Sequence, residues 1–399
     1  MEAELSPFTP GQPVPLEYFV GRISEIEALR TLVKSAAKGR LKIGFMTGDR
    51  GIGKSSLVSF VRHLVEKNDT VAATHVFLGG VKSVADLIEA TYTSVLRDST
   101  EKPWYKKLTG FFGKRVKQVG LFGISVALQL TEEEKNQLAS NFVLSIRQLI
   151  DQLKDDRQAL LLIWDDINGL AGSADFANWL KSVNDEIGTS NKPINLCIII
   201  VGTDDRKESL VQLQPSIARI FQPISLKSWN DTETEEFFVS AFTRGGIESI
   251  EPRALKFMVR YAGGFPVLAQ EIGDGVWRYV KDDSSSVTVS DAQRGIRFAA
   301  DQVGTKLLEP QVVQAINSER YKAILKKLPE ISKTNSFKRS EVMDGLNAEE
   351  KRVFDNFLRR MEQLTAIQKD DQKGSGYYKF ANRLYHLYFL LKGAQSDTF

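Results

Sequence analysis

A glycine-rich loop between an apolar strand and a helix is the feature that most constrains how this chain folds. Residues 48–55 read G-D-R-G-I-G-K-S and fit the pattern G-x-x-x-x-G-K-[ST]. Apolar residues 43–47 precede the loop and a helical pattern at 56–65 follows it, which is the context that the motif requires. Glycines let backbone N–H groups turn toward phosphate oxygens, and the helix N-terminus adds partial positive charge. The loop therefore predicts a phosphate-binding site in an α/β fold.

The side chains of this phosphate loop have distinct expected roles. We expect Lys54 to reach the β- and γ-phosphates of a nucleoside triphosphate, and Ser55 to hold Mg²⁺. Lys54 is also expected to act in catalysis, because it would stabilise the charge that develops during phosphoryl transfer. The predicted nucleotide-binding residues of the loop are Gly48, Gly51, Gly53, Lys54, Ser55 and Ser56.

Two acidic residues end a second apolar run, which reads A-L-L-L-I-W-D-D at residues 159–166. Ligands of open α/β sheets bind at the carboxyl ends of the strands, so these acids should face the phosphates. We expect Asp165 to orient Mg²⁺ through water and Asp166 to polarise the attacking water. The alternative is that the two acids cap the helix that follows them.

Apolar runs separated by helical patterns predict a parallel sheet covered on both faces by helices. The predicted strands are residues 42–47, 71–78, 160–164 and 196–202. A helical pattern with glycine-rich breaks follows, and the last eighty residues read as helices, a hairpin and a closing helix. The predicted organisation is a proline-rich extended leader at 1–17, an α/β core at 18–226, a helical lid at 227–300, a linker at 301–318 and a winged helix at 319–399.

Composition excludes several classes of protein. Of the 399 residues, 42% are hydrophobic and 26% are charged, which is typical of a globular chain and not of a disordered or membrane-embedded one. The single cysteine, Cys197, cannot form an internal disulfide. His63, His75 and His386 show no metal-ligand spacing, and the sequence indicates no function for them. No apolar run is long enough to span a membrane, and the acidic N-terminus lacks a signal pattern, so we expect a cytoplasmic protein.

Two regions carry local positive charge although the net charge of the chain is only +3. The winged-helix region from Arg320 onward has 16 basic and 10 acidic residues. Within it, Asn347 and Glu350 predict a capping box for the strongest helix, at 348–363. That helix could enter a DNA groove. Its basic residues are Lys351, Arg352, Arg359 and Arg360.

An insertion at about 97–130 mixes basic and aromatic residues. This mixture suits contacts with a nucleic-acid backbone and its bases, and it also suits docking on a partner or an anionic membrane surface. The remaining alternative is a solvated helix whose apolar side packs on the core. The residues are Arg97, Lys102, Lys106, Lys107, Lys114, Arg115 and Lys117, with Trp104, Tyr105, Phe111 and Phe112.

Several further motifs resemble those of one group of P-loop ATPases. Residues 18–29, Y-F-V-G-R-I-S-E-I-E-A-L, resemble a motif F-V-G-R-x-x-E-x-x-x-L that begins the nucleotide-binding domain of this group. Residues 198–203 resemble the sensor-1 strand, 215–221 an arginine-bearing segment, and 261–269, with G-F-P at its centre, the lid signature. The group comprises the STAND signal-transducing ATPases, related prokaryotic ATPases and the origin-recognition initiators of the AAA+ class. The resemblance extends from residue 18 through the winged helix.

The resemblance implies further site residues. Val20 and Gly21 would flank the adenine, Arg22 would touch the phosphates, Thr203 would sense the γ-phosphate and Pro266 would lie against the adenine. Either Arg219, which fits the motif better, or Arg206 would act as an arginine finger near the nucleotide of a neighbouring subunit. The alternative for residues 263–266 is a plain helix stop followed by a helix that begins at proline.

Two departures from the family pattern affect the expected function. Asp166 stands where many AAA+ members have glutamate, and its shorter side chain predicts slow hydrolysis. Val267 stands where the initiator lid usually has arginine, which favours a STAND-like switch. We therefore expect an ATPase that binds ATP or ADP with Mg²⁺ and acts as a nucleotide-controlled switch or assembly factor, with a protein partner or by self-assembly. The alternative is a DNA-binding replication initiator or loader, and a P-loop kinase is disfavoured because no acceptor site is recognisable.

Overall fold

The computed structural model describes residues 6–12, 19–119, 125–280 and 285–394. The polypeptide divides into two units. We call Arg22–Lys227 the core unit, and the residues up to Gly21 together with those from Ser228 onward the C-terminal unit.

The core unit alternates strands and helices along the chain. Its strands are β1 (Lys42–Thr47), β2 (Val71–Phe77), β3 (Val116–Val119), β4 (Ser125–Leu128), β5 (Ala159–Asp165), β6 (Leu196–Val201) and β7 (Phe221–Ser225). Its α-helices are α1 (Ile23–Ala36), α2 (Lys54–Asn68), α3 (Val84–Asp98), α4 (Tyr105–Phe112), α5 (Glu132–Ser140), α6 (Phe142–Leu153), α7 (Ala174–Thr189) and α8 (Asp204–Leu213).

Five of these strands form a parallel sheet in the order β2-β5-β6-β1-β7. Every residue of β5 and of β6 is buried, because both strands lie inside the sheet and helices cover both faces. The P-loop α/β fold predicted from the apolar runs is confirmed. β7 was not among the predicted strands: it lies at the sheet edge, only two of its five residues are buried, and it contains Pro223.

The basic and aromatic insertion folds onto the core unit. Trp104, Leu108 and Phe112 are buried in the same hydrophobic cluster as the central strands. Lys107 forms ion pairs with Asp155 and Asp156 at 3.3 and 2.8 Å. Trp104 and Phe112 are therefore not available to stack on bases, and the apolar side of the described helix packs on the core. Contacts of the exposed Lys106 and Lys114 with a nucleic-acid backbone, a partner or an anionic surface stay a prediction. The side chains of Arg115 and Lys117 and all of residues 120–124 lie outside the described part of the chain.

The C-terminal unit is mostly helical. Its helices are α9 (Asp231–Arg244), α10 (Pro252–Ala262), α11 (Pro266–Trp277), α12 (Val289–Val303), a π-helix (Gly304–Val313), α13 (Glu319–Ser332), α14 (Arg339–Asp344), α15 (Ala348–Gln363) and α16 (Arg383–Ala394). Its strands are β8 (Ser249–Ile250), β9 (Ser286–Val287), β10 (Ser336–Lys338), β11 (Ile367–Lys369) and β12 (Tyr377–Phe380).

The last part of this unit folds in the element order that the sequence predicts. Helices α13, α14 and α15 precede the β11–β12 hairpin, and β10 joins the hairpin in an antiparallel sheet of order β10-β12-β11. The capping box of α15 is present, with Asn347 Oδ1 accepting from the Glu350 N–H at 2.9 Å. The apolar side of α15, with Phe354, Phe357 and Met361, is buried against α13 and the sheet.

Two segments that the sequence predicts to be irregular, the linker and the leader, contain residues that are buried in the C-terminal unit. Most of residues 301–318 is helical, because Leu308 and Val312 are buried and the Tyr388 hydroxyl donates to Glu309 at 2.6 Å. In the leader, Phe8 is 3% exposed and packs in the helical core of the C-terminal unit. Residues 13–18, including Pro13, Pro15 and Tyr18, lie outside the described residues. Among the residues described, no helix is long and apolar enough to cross a membrane.

Candidate nucleotide-binding site

The phosphate loop connects β1 to α2 through backbone conformations that favour glycine. Gly51 and Gly53 have φ of 76° and 93°, in the left-handed region that other residues avoid. A Cβ at Gly48 would lie 2.7 Å from the Leu226 carbonyl oxygen, so the loop passes too close to this backbone for a side chain. Gly48 also has a positive φ, of 149°, so all three predicted loop glycines have backbone angles that favour glycine, and Gly48 is required by its close packing as well.

Lys54 begins α2, and its ammonium group lies over the loop. The Nζ atom donates to the carbonyl oxygens of Gly48 at 2.7 Å and Asp49 at 2.8 Å. Burial lowers the pKa of Lys54, and the nearby carboxylates of Asp165, Asp49 and Asp166 oppose this shift. These contacts hold the cation on the loop, within electrostatic reach of Asp165 and Asp166 at the carboxyl end of β5.

Arg22 supports the loop from the side. Its side chain is 5% exposed, and its guanidinium donates to the Ile52 carbonyl at 3.2 Å and pairs with Glu25 at 3.3 Å. Arg22 has φ of 62° and is the residue immediately before α1. The structure thus brings Arg22 to the loop backbone, and its predicted phosphate contact stays a prediction. The predicted adenine contacts of Val20 and Gly21 also stay predictions.

The two acids after Trp164 occupy different environments. Asp165 is the last residue of β5 and is buried, and its Oδ2 lies 2.9 Å from Nε2 of His75 on β2. Asp166 is exposed, has φ of 62° and accepts a hydrogen bond from the Asn168 amide. The left-handed turn at Asp166 directs the chain away from the sheet directly after Asp165. Neither acid caps a helix through its side chain, so the alternative role as helix caps is not observed for them.

Thr203 and Arg206 lie at the same sheet edge as the phosphate loop. Thr203 follows β6, which lies between β1 and β5, and it is the residue before α8. A hydrogen bond from the Thr203 hydroxyl is the largest cause of the lowered pKa of Asp205. Arg206 pairs with Asp205 at 3.5 Å. The structure therefore groups Lys54, both acids, Thr203 and Arg206 at the carboxyl ends of β1, β5 and β6.

Arg219 lies at the amino ends of the strands, opposite the carboxyl ends where the phosphate loop lies. It is exposed just before β7, whose first residue, Phe221, pairs with Ile43 near the start of β1. Arg219 lines a depression of about 450 Å³ together with Lys42 and Lys181. Because the six residues of β1 span roughly 20 Å, Arg219 cannot reach phosphates bound by its own loop.

Pro266 is the first residue of α11 and is buried within the C-terminal unit. Gly263 ends α10 in the left-handed conformation, and a Cβ at Gly264 would lie 2.2 Å from the Trp229 carbonyl oxygen. The structural alternative of a helix stop followed by a proline-started helix is thus observed. Pro266 and the phosphate loop belong to different units, and the predicted contact between Pro266 and the adenine stays a prediction.

His75 contacts the candidate site through Asp165, and the sequence alone does not predict this contact. It was one of three scattered histidines, and sequence alone does not show that β2 lies beside β5. A weak signal was available, since β2 reads V-A-A-T-H-V-F and a histidine inside an otherwise apolar buried strand needs a polar partner.

The donor atoms at this edge suit Mg²⁺. The Ser55 hydroxyl, in the first turn of α2, and the Asp165 carboxylate, at the end of β5, are hard oxygen donors, the kind that Mg²⁺ prefers together with water and phosphate oxygens. No further protein ligand is needed, because Mg²⁺ in such sites keeps several waters.

Comparisons with known proteins agree with this geometry. Residues 18–187 match the family model described as an AAA ATPase domain. No curated protein sequence matches the chain.

Similar folds occur among solved structures of archaeal proteins. The ORC2 protein of Aeropyrum pernix, in ADPNP–ADP complexes, is 15% identical over 98% of this chain and 96% of its own, with a TM-score of 0.58. The Walker-type ATPase PABY2304 of Pyrococcus abyssi is 15% identical over 93% and 96%, with a TM-score of 0.56. Cdc6p of Pyrobaculum aerophilum is 13% identical over 98% and 97%, with a TM-score of 0.50. The chain therefore has the P-loop fold of AAA+ ATPases and matches an AAA ATPase domain over residues 18–187.

Proposed function

We propose that this protein binds Mg·ATP at the phosphate loop, hydrolyses it slowly and acts as a STAND-like nucleotide-controlled switch or assembly factor. The observation that carries the proposal is the grouping of Lys54, Asp165 and Thr203 at one sheet edge. The match to an AAA ATPase domain supports ATP as the nucleotide.

Different residues of the chain would bind the phosphates and the Mg²⁺. In the proposal, the Lys54 ammonium exchanges its two loop carbonyls for phosphate oxygens, while backbone N–H groups of the loop and the N-terminus of α2 bind the remaining phosphate charge. Ser55 and, through water, Asp165 would hold Mg²⁺, which when bound neutralises phosphate charge. Loop residues Gly48, Gly51, Gly53 and Ser56 would contact the same phosphates.

Asp166 would position the water that attacks the γ-phosphate, and Thr203 would contact that phosphate. Asp166 has a short side chain, and one of its carboxylate oxygens already accepts from Asn168. Both features favour slow hydrolysis, because the carboxylate is less free to orient water than a longer glutamate would be. A slow ATPase keeps its nucleotide long enough for the bound state to act as a signal.

Arg219 would act only on a nucleotide bound by another copy of the chain. Arg219 is exposed at the amino ends of the strands, away from its own phosphate loop, and this position supports the role and supports self-assembly. Arg206, at the carboxyl ends of the strands, remains the alternative arginine finger. Val20, Gly21 and Pro266 remain the proposed contacts of the adenine. A cytoplasmic location remains our expectation from the sequence.

A DNA-binding initiator or loader is the second candidate function. We propose that residues 319–394 are a winged helix, with α15 as its groove-reading helix. Lys351, Arg352 and Arg359 are exposed along α15, which favours contacts with phosphates. If duplex DNA binds there, its affinity should fall steeply with salt because bound counterions are released. An affinity for duplex DNA that does not change between about 50 and 200 mM salt would remove this candidate.

The primary proposal is tested by titrating a fluorescent ATP analogue with Mg²⁺. Lys54→Ala should weaken its binding by at least tenfold, since a hydrogen bond to a charged group is worth about 1.5–3 kcal/mol. The matched control is Lys67→Ala, which removes an exposed lysine from the same helix and should bind as the unmodified protein does. Equal affinity of a folded Lys54→Ala variant and the unmodified protein would remove the nucleotide assignment.

A further inference from the structure

The buried pair of His75 and Asp165 is a contact that the proposed catalytic roles do not use. His75 Nε2 and Asp165 Oδ2 are 2.9 Å apart, and the two side chains are 4% and 5% exposed. The pair is set by strand register: Phe77 of β2 lies opposite Asp165 of β5, and His75 lies opposite Ile163. Because residues two apart share a face of a strand, His75 and Asp165 are diagonal neighbours on one face of the sheet.

Several contacts hold the imidazole in this place. The ring of Phe77 stacks on the His75 ring, with centroids 4.2 Å apart and 28° between the planes. The Leu78 N–H donates to the Asp165 carbonyl at 2.8 Å, so the two strands remain paired up to their carboxyl ends. The imidazole and the carboxylate are therefore presented to each other by a rigid sheet and not by a loop.

The chemistry of the pair fixes which atom carries the proton. When Asp165 is ionised, its carboxylate can only accept hydrogen bonds, and Nε2 of His75 then carries the hydrogen that it shares with Oδ2. With Oδ2 held in this way, the carboxylate plane is set and Oδ1 remains for a further contact. Outer partners of this kind orient the groups that face a metal, and their loss commonly costs 10- to 100-fold in metal affinity.

We propose that His75 is a positioning residue for Asp165: its Nε2–H holds the carboxylate in the orientation that receives the water shell of Mg²⁺ bound with ATP. This inference rests on the proposed Mg·ATP site. His75 itself touches neither nucleotide nor metal. Its contribution is to keep the buried carboxylate from turning toward other donors when the nucleotide is absent.

The test compares substitutions that differ in whether they can reach Asp165. The amide nitrogen of His75→Gln lies about as far along the side chain as Nε2, while that of His75→Asn is too short and His75→Leu has no donor. The readout is the free Mg²⁺ concentration that gives half-maximal binding of a fluorescent ATP analogue, measured without turnover. His63→Gln, at an exposed position of α2, is the matched control.

We expect the half-maximal Mg²⁺ concentration to rise about tenfold or more in His75→Asn and His75→Leu, and by less than about threefold in His75→Gln and His63→Gln. A rise in His75→Gln equal to that in His75→Asn would overturn the positioning role, because a general packing defect would then explain both. Unchanged values in His75→Asn would overturn it as well, and this comparison does not depend on His75→Leu folding.

Asp165→Asn separates this inference from the proposed function. If Asp165→Asn raises the Mg²⁺ requirement and the His75 variants do not, the nucleotide site stands and the role of His75 is wrong. If Asp165→Asn also leaves the Mg²⁺ requirement unchanged, Asp165 does not serve the metal, and the proposed roles of Asp165 and His75 both fail while nucleotide binding is judged by Lys54→Ala.

Discussion

At the scale of single residues, Asp165 and Asp166 are neighbours that the fold treats differently. Asp165 is the buried end of a strand and is held by His75, whereas Asp166 is exposed in a left-handed turn. A buried carboxylate with a fixed orientation suits a metal site. An exposed carboxylate near Lys54 suits a residue that positions and polarises the attacking water. This difference in burial supports the division of roles that the order of the two residues alone suggested.

The division predicts different effects of two conservative substitutions. Asp166→Asn should keep Mg·ATP binding within about twofold but slow phosphate release by roughly 100-fold or more, because the amide keeps the shape and loses the charge that polarises water. Asp165→Asn should instead raise the Mg²⁺ requirement for binding. The measurements are steady-state phosphate release and nucleotide titration of both variants. Normal turnover in Asp166→Asn together with none in Asp165→Asn would reverse the assignment.

Much of this residue-scale site could be predicted from the sequence, because the phosphate loop and the two acids are local patterns. Lys54 and the loop glycines follow from one run of eight residues, and the acids follow from a single apolar strand. The polar residue inside β2 was only a weak signal for His75, because its contact with Asp165 depends on β2 lying beside β5, which is a non-local pairing. The position of Arg219 at the amino ends of the strands likewise depends on the pairing of β7 with β1, which is not visible in the local sequence.

At the scale of elements, helices and strands that carry local signals were predictable, including the short β11–β12 hairpin, whereas the edge strand β7 was not. α15 begins and ends where the capping box and the apolar spacing predicted, because that helix carries its own local signals. β7 could not be predicted from the sequence, because an edge strand needs few apolar residues and Pro223 is unfavourable in most strands. The leader contains several prolines, and nothing in its local sequence indicates the buried site of Phe8.

The packing of Phe8 predicts that the leader stabilises the C-terminal unit. The ring of Phe8 lies 4.9 Å from that of Phe242, and the neighbouring Thr9 N–H donates to Gln270 Oε1 at 2.8 Å. Phe8→Ala should lower the free energy of unfolding by about 3–5 kcal/mol, through lost apolar burial and the cavity left behind. Denaturant unfolding followed by circular dichroism measures this change.

The control for Phe8→Ala lies on α9 of the same unit. Val239 is 45% exposed, so Val239→Ala should change the free energy of unfolding by about 0.5 kcal/mol or less. If Phe8→Ala were no more destabilising than Val239→Ala, the leader would contribute nothing to the stability of the unit.

At the scale of the whole molecule, the proposal is that nucleotide state controls the C-terminal unit. A switch of this kind requires ATP and ADP to favour different arrangements, because a ligand that binds both arrangements equally shifts nothing. The proposed coupling runs through Pro266 and then through α12 and the π-helix, where Lys306 pairs with Glu271 of α11 at 3.0 Å. Local opening of this helical segment is therefore where a change of state should be detectable.

Pro266→Gly tests the coupling at its proposed starting point. Glycine removes the rigid ring that would lie against the adenine and frees the first turn of α11. We expect a modest loss of ATP affinity, about three- to tenfold for one lost apolar contact of roughly 1 kcal/mol, and a weaker nucleotide effect on the C-terminal unit. Nucleotide titration of the variant gives the first quantity. An affinity equal to that of the unmodified protein would argue against adenine contact.

The most direct test of the switch is limited proteolysis of residues 300–311 in the unmodified protein with Mg·ATP, with Mg·ADP and without nucleotide. The account predicts that the cleavage rate in this segment differs between the ATP and ADP states, and that Lys54→Ala shows one rate in all three conditions. Identical cleavage of the unmodified protein in all three conditions, at saturating nucleotide, would contradict the switch and leave a protein that binds ATP without responding to it.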